Sequence, residues 1–220
     1  IFFRSSTMAS CVQLMFPVVV VLIAMFLGIG HESQYVFDPV KLKGISEKAI
    51  AAHAGNVTAL KDHVVLQLRE AYPQYITKEP EWMFNNAGGA MGAMLVLHAS
   101  LSEYVIIFGT AVGTEGHSGR FLADDYFTIL HGEQWAFKAG SMEKQVFTPG
   151  MQHLMARYEA KQYRMPDECW ALEYARGNIV SMLPFGVADC FTSTFDLWTL
   201  WKTVSVTAKL MFENICQGKI

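Results

Sequence analysis

The chain has 220 residues, enough for one domain with a substantial core, and its formal net charge of −3 leaves no basic footprint for nucleic acid. Hydrophobic residues make up 52% and charged residues 17%, a balance that suits a protein with part of its mass in or on a membrane. The four cysteines (Cys11, Cys169, Cys190 and Cys216) lack CxxC spacing, which argues against a zinc knuckle and against a disulfide-dense secreted scaffold.

Residues 5–30 carry no charge, and Val18–Leu27 is wholly apolar. With its flanks this run exceeds the roughly 20 residues needed to cross a bilayer. A cleaved signal peptide is the rival reading, but the exit at Gly28-Ile29-Gly30-His31 lacks a clear small-x-small site, so a membrane anchor is expected over 1–32. Arg4 is the only charge before the span, which favours a cytosolic N-terminus and a lumenal body.

Asp38-Pro39 reads as a helix start, followed by Leu42, Ile45, Ala49 and Ala52 at helical spacing. Leu60, Val64, Val65 and Leu68 repeat the pattern until Pro73 stops it, so 33–81 is expected to be amphipathic helices. Asn56-Val57-Thr58 is a glycosylation sequon, relevant only to a lumenal body.

Over 82–183 the texture changes to short apolar runs between glycines: Met94–His98, Tyr104–Phe108, Asp125–Leu130, Trp135–Lys138, Gln145–Thr148, Trp170–Tyr174 and Ile179–Leu183. Short strands at such spacing point to a sandwich or barrel, and the lack of interleaved helices argues against a parallel α/β sheet. After Pro184 the pattern is helical again, with Phe191, Phe195, Trp198, Trp201, Val204 and Leu210 among few charges. Helices over 184–220 lying at a membrane interface fit this tryptophan-rich pattern, and an ordinary subunit-packing helix is the alternative.

Candidate chemistry lies on the strands. In ADDYFTILHG, alternation puts Ala123, Asp125, Phe127 and Ile129 on the more apolar face, opposite Asp124, Tyr126, Thr128 and Leu130. In WALEYAR, Ala171, Glu173 and Ala175 share a face, and two alanines leave space beside the glutamate. Tyr104, Ile106 and Phe108 share a third face, with Glu103 turned away. Glu103 is read as structural and Asp124 as a turn residue, and both stay as secondary candidates with His117. The seven histidines show neither HExxH nor His-x-His spacing, so no metal or other cofactor is expected.

The stretch NNAGGAMGAMLVLHASLSEYVIIFGTAVGTEGHSGR (Asn85–Arg120) resembles the shared core of the fungal sterol C8–C7 isomerases and the sigma non-opioid intracellular receptor. ADDYFTILHG, TPGM, AKQYRMP and MLPFGVAD resemble the isomerase branch more closely. The resemblance covers about 82–205.

It implies an α+β fold: a cupin-like β-barrel, an N-terminal transmembrane helix, C-terminal membrane-adjacent helices, a homotrimer and the endoplasmic reticulum membrane. The receptor's two amine-binding acids fall on Glu173 and on Phe127, so the second is missing at its receptor position, and Asp125 stands two residues earlier. The expected function is a sterol C8-isomerase of ergosterol biosynthesis with Asp125 and Glu173 as the catalytic pair. Tyr104, Ile106, Phe108, Met94, Phe127 and Leu183 would bind the sterol, and cationic amines would bind as carbocation mimics. The alternatives are a receptor-like amine-binding chaperone and a sterol carrier without turnover.

Overall fold

The computed structural model describes Phe26 and residues 28–220. The expected N-terminal span lies almost wholly outside the described residues. Among those described, no helix is long and apolar enough to cross a membrane.

Helix α1 (Pro39–Ala52) begins at the expected cap, where the Asp38 side chain accepts the Val40 N–H at 2.8 Å. It buries Leu42, Ile45 and Ala49, while Ala52 ends exposed. Helix α2 (Val57–Ala71) is capped by Asn56, which accepts the Ala59 N–H at 3.0 Å, and buries Leu60, Val64, Val65 and Leu68. The sequon asparagine is thus exposed in its backbone setting and occupied as a helix cap.

Ten strands follow: β1 (Trp82–Ala87), β2 (Ala90–Ala99), β3 (Glu103–Thr110), β4 (Thr114–His117), β5 (Ala123–His131), β6 (Gln134–Phe137), β7 (Gln145–Phe147), β8 (Gln152–Met155), β9 (Gln162–Met165) and β10 (Cys169–Gly177). They form a six-stranded sheet, β1-β2-β3-β10-β5-β8, and a four-stranded sheet, β4-β9-β6-β7. Every pairing is antiparallel. The β1–β2 hairpin turns on Gly88 and Gly89, with φ of +65° and +82°, the left-handed conformations a two-residue turn requires. A Cβ on Gly88 would stand 2.4 Å from the His117 carbonyl oxygen, so the turn also needs glycine for space.

The large sheet carries two cores. On its outer face, Leu95, Val105, Ile107, Leu172 and Tyr174 pack with Leu42, Leu60, Val64 and Leu68 of α1 and α2. On its inner face, Met94, Ile106, Phe108, Ile129 and Ala171 pack with Ala136 and Met165 of the small sheet. Burial on both faces explains why β2 and β3 read largely as apolar runs instead of clean alternations.

The run Ile179–Leu183, expected as a strand, is not one. Ile179–Ser181 forms a 3₁₀ turn, and Leu183 opens helix α3 (Leu183–Thr192). The Asn178 side chain accepts the Ser181 N–H at 3.1 Å and caps the turn, and Pro184 sits in the first helical turn where its missing N–H costs nothing. Helix α4 (Leu197–Cys216) follows. Helix α3 packs on β1, and α4 packs on β1 and β2, closing one end of the inner core. Leu210 of α4 is buried, while Phe191, Phe195, Trp198, Trp201 and Val204 are exposed.

Candidate active site

Strand β10 runs between β3 and β5, and its register builds the site in three rows. Ala175 lies opposite Tyr104 on one side and Asp125 on the other. Glu173 lies opposite Ile106 and Phe127, and Ala171 opposite Phe108 and Ile129. Strand alternation turns all nine side chains to the inner face. Asp125 and Glu173 are therefore diagonal neighbours, whose Cβ atoms stand about 7–8 Å apart or less, within reach of two carboxyl arms. Ala171 and Ala175 keep the surface beside Glu173 open.

The two acids interact in a place with little to stabilise their charge. Asp125 is 2% exposed, and its Oδ1 has no hydrogen-bond partner among the described residues. Burial pushes the Asp125 carboxyl up to about 7, with contact to Glu173 pulling the other way. Burial raises Glu173 well above the usual carboxylate range, and the charge of Asp125 raises it further. The residual exposure of Glu173 is to an internal cavity that it lines. Tyr104 stands in the row beside Glu173, and burial holds its phenol up at about 12. Its hydroxyl is 3.4 Å from Thr207 Oγ1 of α4.

That cavity lies between the two sheets and the C-terminal helices. Asp125 and Glu173 line it together with Tyr104, Ile106, Phe108, Met94, Phe127 and Leu183, so the structure gathers every residue expected to bind substrate. His117 also lines it, with Nδ1 accepting the Gly119 N–H at 2.8 Å.

The other two secondary candidates lie elsewhere. Glu103 is fully buried on the outer face. It accepts the Val36 and Phe37 N–H groups at 2.8 and 3.0 Å and the Tyr174 hydroxyl at 2.6 Å, and it pairs with Lys219 at 2.8 Å. Asp124, expected as a turn residue, lies instead within strand β5 opposite Arg176; it accepts the Arg157 N–H at 3.1 Å and pairs with its guanidinium at 3.6 Å. Both acids are structural in their contacts.

Several lining residues were not anticipated: Gln134, His153, Lys161, Tyr163, Thr203 and Thr207. His153 and Tyr163 sit on β8 and β9, four-residue strands reading QHLM and QYRM. Neither is long or apolar enough to register as alternation. Thr207 was within reach of sequence reasoning, being three residues before buried Leu210 on α4.

A family profile described as "ERG2 and Sigma1 receptor like protein" matches residues 13–219. A protein of Aspergillus fumigatus named C-8 sterol isomerase erg2 is 51% identical over 195 residues, covering 88% of this chain and 82% of that one. A C-8 sterol isomerase of Pyricularia oryzae is 54% identical over 191 residues, covering 86% of each. A sigma non-opioid intracellular receptor 1 of Xenopus tropicalis is 39% identical over 186 residues, covering 83% of this chain and 82% of the receptor. Among solved structures, an RmlC-like cupin from Shewanella frigidimarina is 14% identical with a TM-score of 0.39, covering 46% of this chain and 86% of that one.

Proposed function

This chain belongs to the family of ERG2 and Sigma1 receptor-like proteins, and from that premise we propose that it is a sterol C8-isomerase of ergosterol biosynthesis, moving the ring double bond from C8 to C7. The observation that carries the proposal is the acid pair: two buried carboxyls on one sheet face, each raised, opening into an apolar cavity.

An isolated alkene is a very weak base, so the acid that protonates it must stay protonated near neutral pH. Burial supplies that, and a neighbouring carboxyl helps, because two close carboxyls cannot both ionise cheaply. In the singly protonated pair, the carboxylic acid gives its proton to C9 and the π electrons form the C9–H bond. The tertiary cation left at C8 lies beside the remaining carboxylate, whose charge acts at full strength where water is excluded. That carboxylate takes the C7 proton, and the C–H electrons become the C7–C8 double bond. One proton enters, one leaves, and the pair ends singly protonated. Asp125 and Glu173 share these roles as a unit. Cationic amines placed in the ring system would mimic the cation and bind as inhibitors.

The finer architecture is part of the same reading. The two sheets facing one cavity fit a cupin-like barrel. The exposed Trp198, Trp201 and Phe195 fit α3 and α4 lying against a membrane, for which the endoplasmic reticulum and a single N-terminal span are the proposed setting, with a homotrimer as the proposed assembly. The test is an assay of purified full-length chain with a Δ8-sterol and no added cofactor. The expected result is the Δ7-sterol. Tight binding of a cationic amine with no conversion would overturn the enzyme reading in favour of a receptor-like one.

A further inference from the structure

The polar groups of the cavity are unevenly placed. Thr203 and Thr207 come from α4, and Thr207 faces the Tyr104 hydroxyl. On the other side, β6, β8 and β9 contribute Gln134, His153 and Tyr163, with Lys161 just ahead of β9. Lys161 is engaged by Gln145 Oε1 at 3.2 Å. The other three form a group that the proton transfers leave unused.

His153 is fixed tightly. Its ring is stacked between Phe127 and Phe147, with interplanar angles of 12° and 17°. Its Nε2 lies 2.8 Å from Gln134 Oε1, and an N–H there donates to that oxygen. Nδ1 is then an acceptor, and it is buried with no partner among the described residues. Burial, with Lys161 nearby, holds the imidazole down at about 4, so it is neutral at physiological pH and keeps that lone pair. Tyr163 stays a phenol, because burial and the charge of Glu173 both raise it. Its half-buried side chain lines the same cavity as His153. An acceptor without a partner and a phenolic donor lining the same cavity match the two faces of one hydroxyl group.

We propose that Tyr163 and His153 form the subsite for the sterol's 3-hydroxyl, Tyr163 donating to it and His153 Nδ1 accepting from it. This rests on the isomerase reading and adds the direction in which the substrate lies. His153 is opposite Phe127 in the row that holds Glu173, two strands away, or about 10 Å at the usual strand spacing. In the sterol nucleus the 3-hydroxyl and the C8–C9 bond lie on opposite flanks of the fused A and B rings. Those rings would cover Phe127, and C8 and C9 would come to rest at the acids. A rigid, almost wholly apolar substrate offers no other polar handle to fix which carbon meets the acid pair, and such positioning is a large part of the rate.

The test compares kcat/KM of purified full-length chain on a 3β-hydroxy-Δ8-sterol and on the same sterol with hydrogen at C3. The wild type is expected to prefer the hydroxy sterol at least tenfold, roughly the value of one hydrogen bond to a buried group. In Tyr163→Phe the preference falls about tenfold, and His153→Phe, which keeps the aromatic stack, lowers it independently. The ratio is taken on one preparation, so a partly unfolded variant still reports it. No preference in the wild type, or an undiminished preference in both variants, overturns the assignment. A wild type that converts neither sterol overturns the isomerase reading itself, a different outcome from lost selectivity.

Discussion

The six-stranded sheet buries carboxylates on both faces, and the two faces treat them in opposite ways. Glu103 on the outer face receives two backbone N–H groups, a tyrosine hydroxyl and a lysine ammonium. It ties the segment before α1, strands β3 and β10 and the last residues of α4's tail into one knot. Asp125 and Glu173 on the inner face have chiefly each other, and one carboxyl oxygen has no partner at all among the described residues. Glu103 and Asp125 are equally deep, while Glu173 keeps some exposure to the cavity. A satisfied acid of this kind holds a fold together, whereas an unsatisfied pair stores a proton at a potential useful for chemistry.

The contrast can be broken by exchanging roles through mutation. Glu173→Gln removes the proposed proton-transfer group and is expected to lower kcat by about 10²–10⁴-fold in the sterol assay, with the thermal midpoint held or raised. Glu103→Gln does the reverse. It removes the carboxylate partner of Lys219, only 6% exposed by side chain, and is expected to cost about 3–5 kcal/mol in a urea titration while turnover per folded molecule survives.

A third expectation concerns pH. The folded Asp125 carboxyl is raised from 3.8 to about 7, so the native state binds more protons than the unfolded chain across that window. Stability therefore falls as pH rises from about 4 to about 7, and Asp125→Asn flattens that slope in thermal scans. The same titration predicts a rate that climbs through about 7, as the pair passes to its singly protonated form, and drops at higher pH when the last proton leaves. The smallest effect is expected from Asp124→Asn. Its partly exposed pair with Arg157 is worth less than about 1 kcal/mol, and activity should stay within a few-fold in the same assay.

Much of this contrast was legible in the sequence, for particular reasons. Alternation along β5 and β10 placed Asp125 and Glu173 on inner faces and turned Glu103 away, because a strand's period of two leaves no freedom once one face is apolar. Caps at Asp38-Pro39 and the Leu60–Leu68 spacing located α1 and α2 closely. Ile179–Leu183 misled because a short apolar run carries no periodicity, and the deciding features were the Asn178 cap and Pro184. Strands β4, β8 and β9 were invisible. They are short and polar, and they exist through pairing with distant strands: β8 on β5, and β9 on β4 and β6. His153 and Tyr163 went unseen with them. The partners of Glu103 are likewise a tertiary fact, since Lys219 comes from the far end of the chain.

The central claim, that the inner acids deliver the proton, is tested most directly in deuterated water. Purified chain equilibrated in it is given a Δ8-sterol, and the product is read for deuterium at C9. The wild type is expected to place one deuterium there without any cofactor, and Glu173→Gln to place almost none in the same time. Labelling of C9 by Glu173→Gln at the wild-type rate would contradict the account.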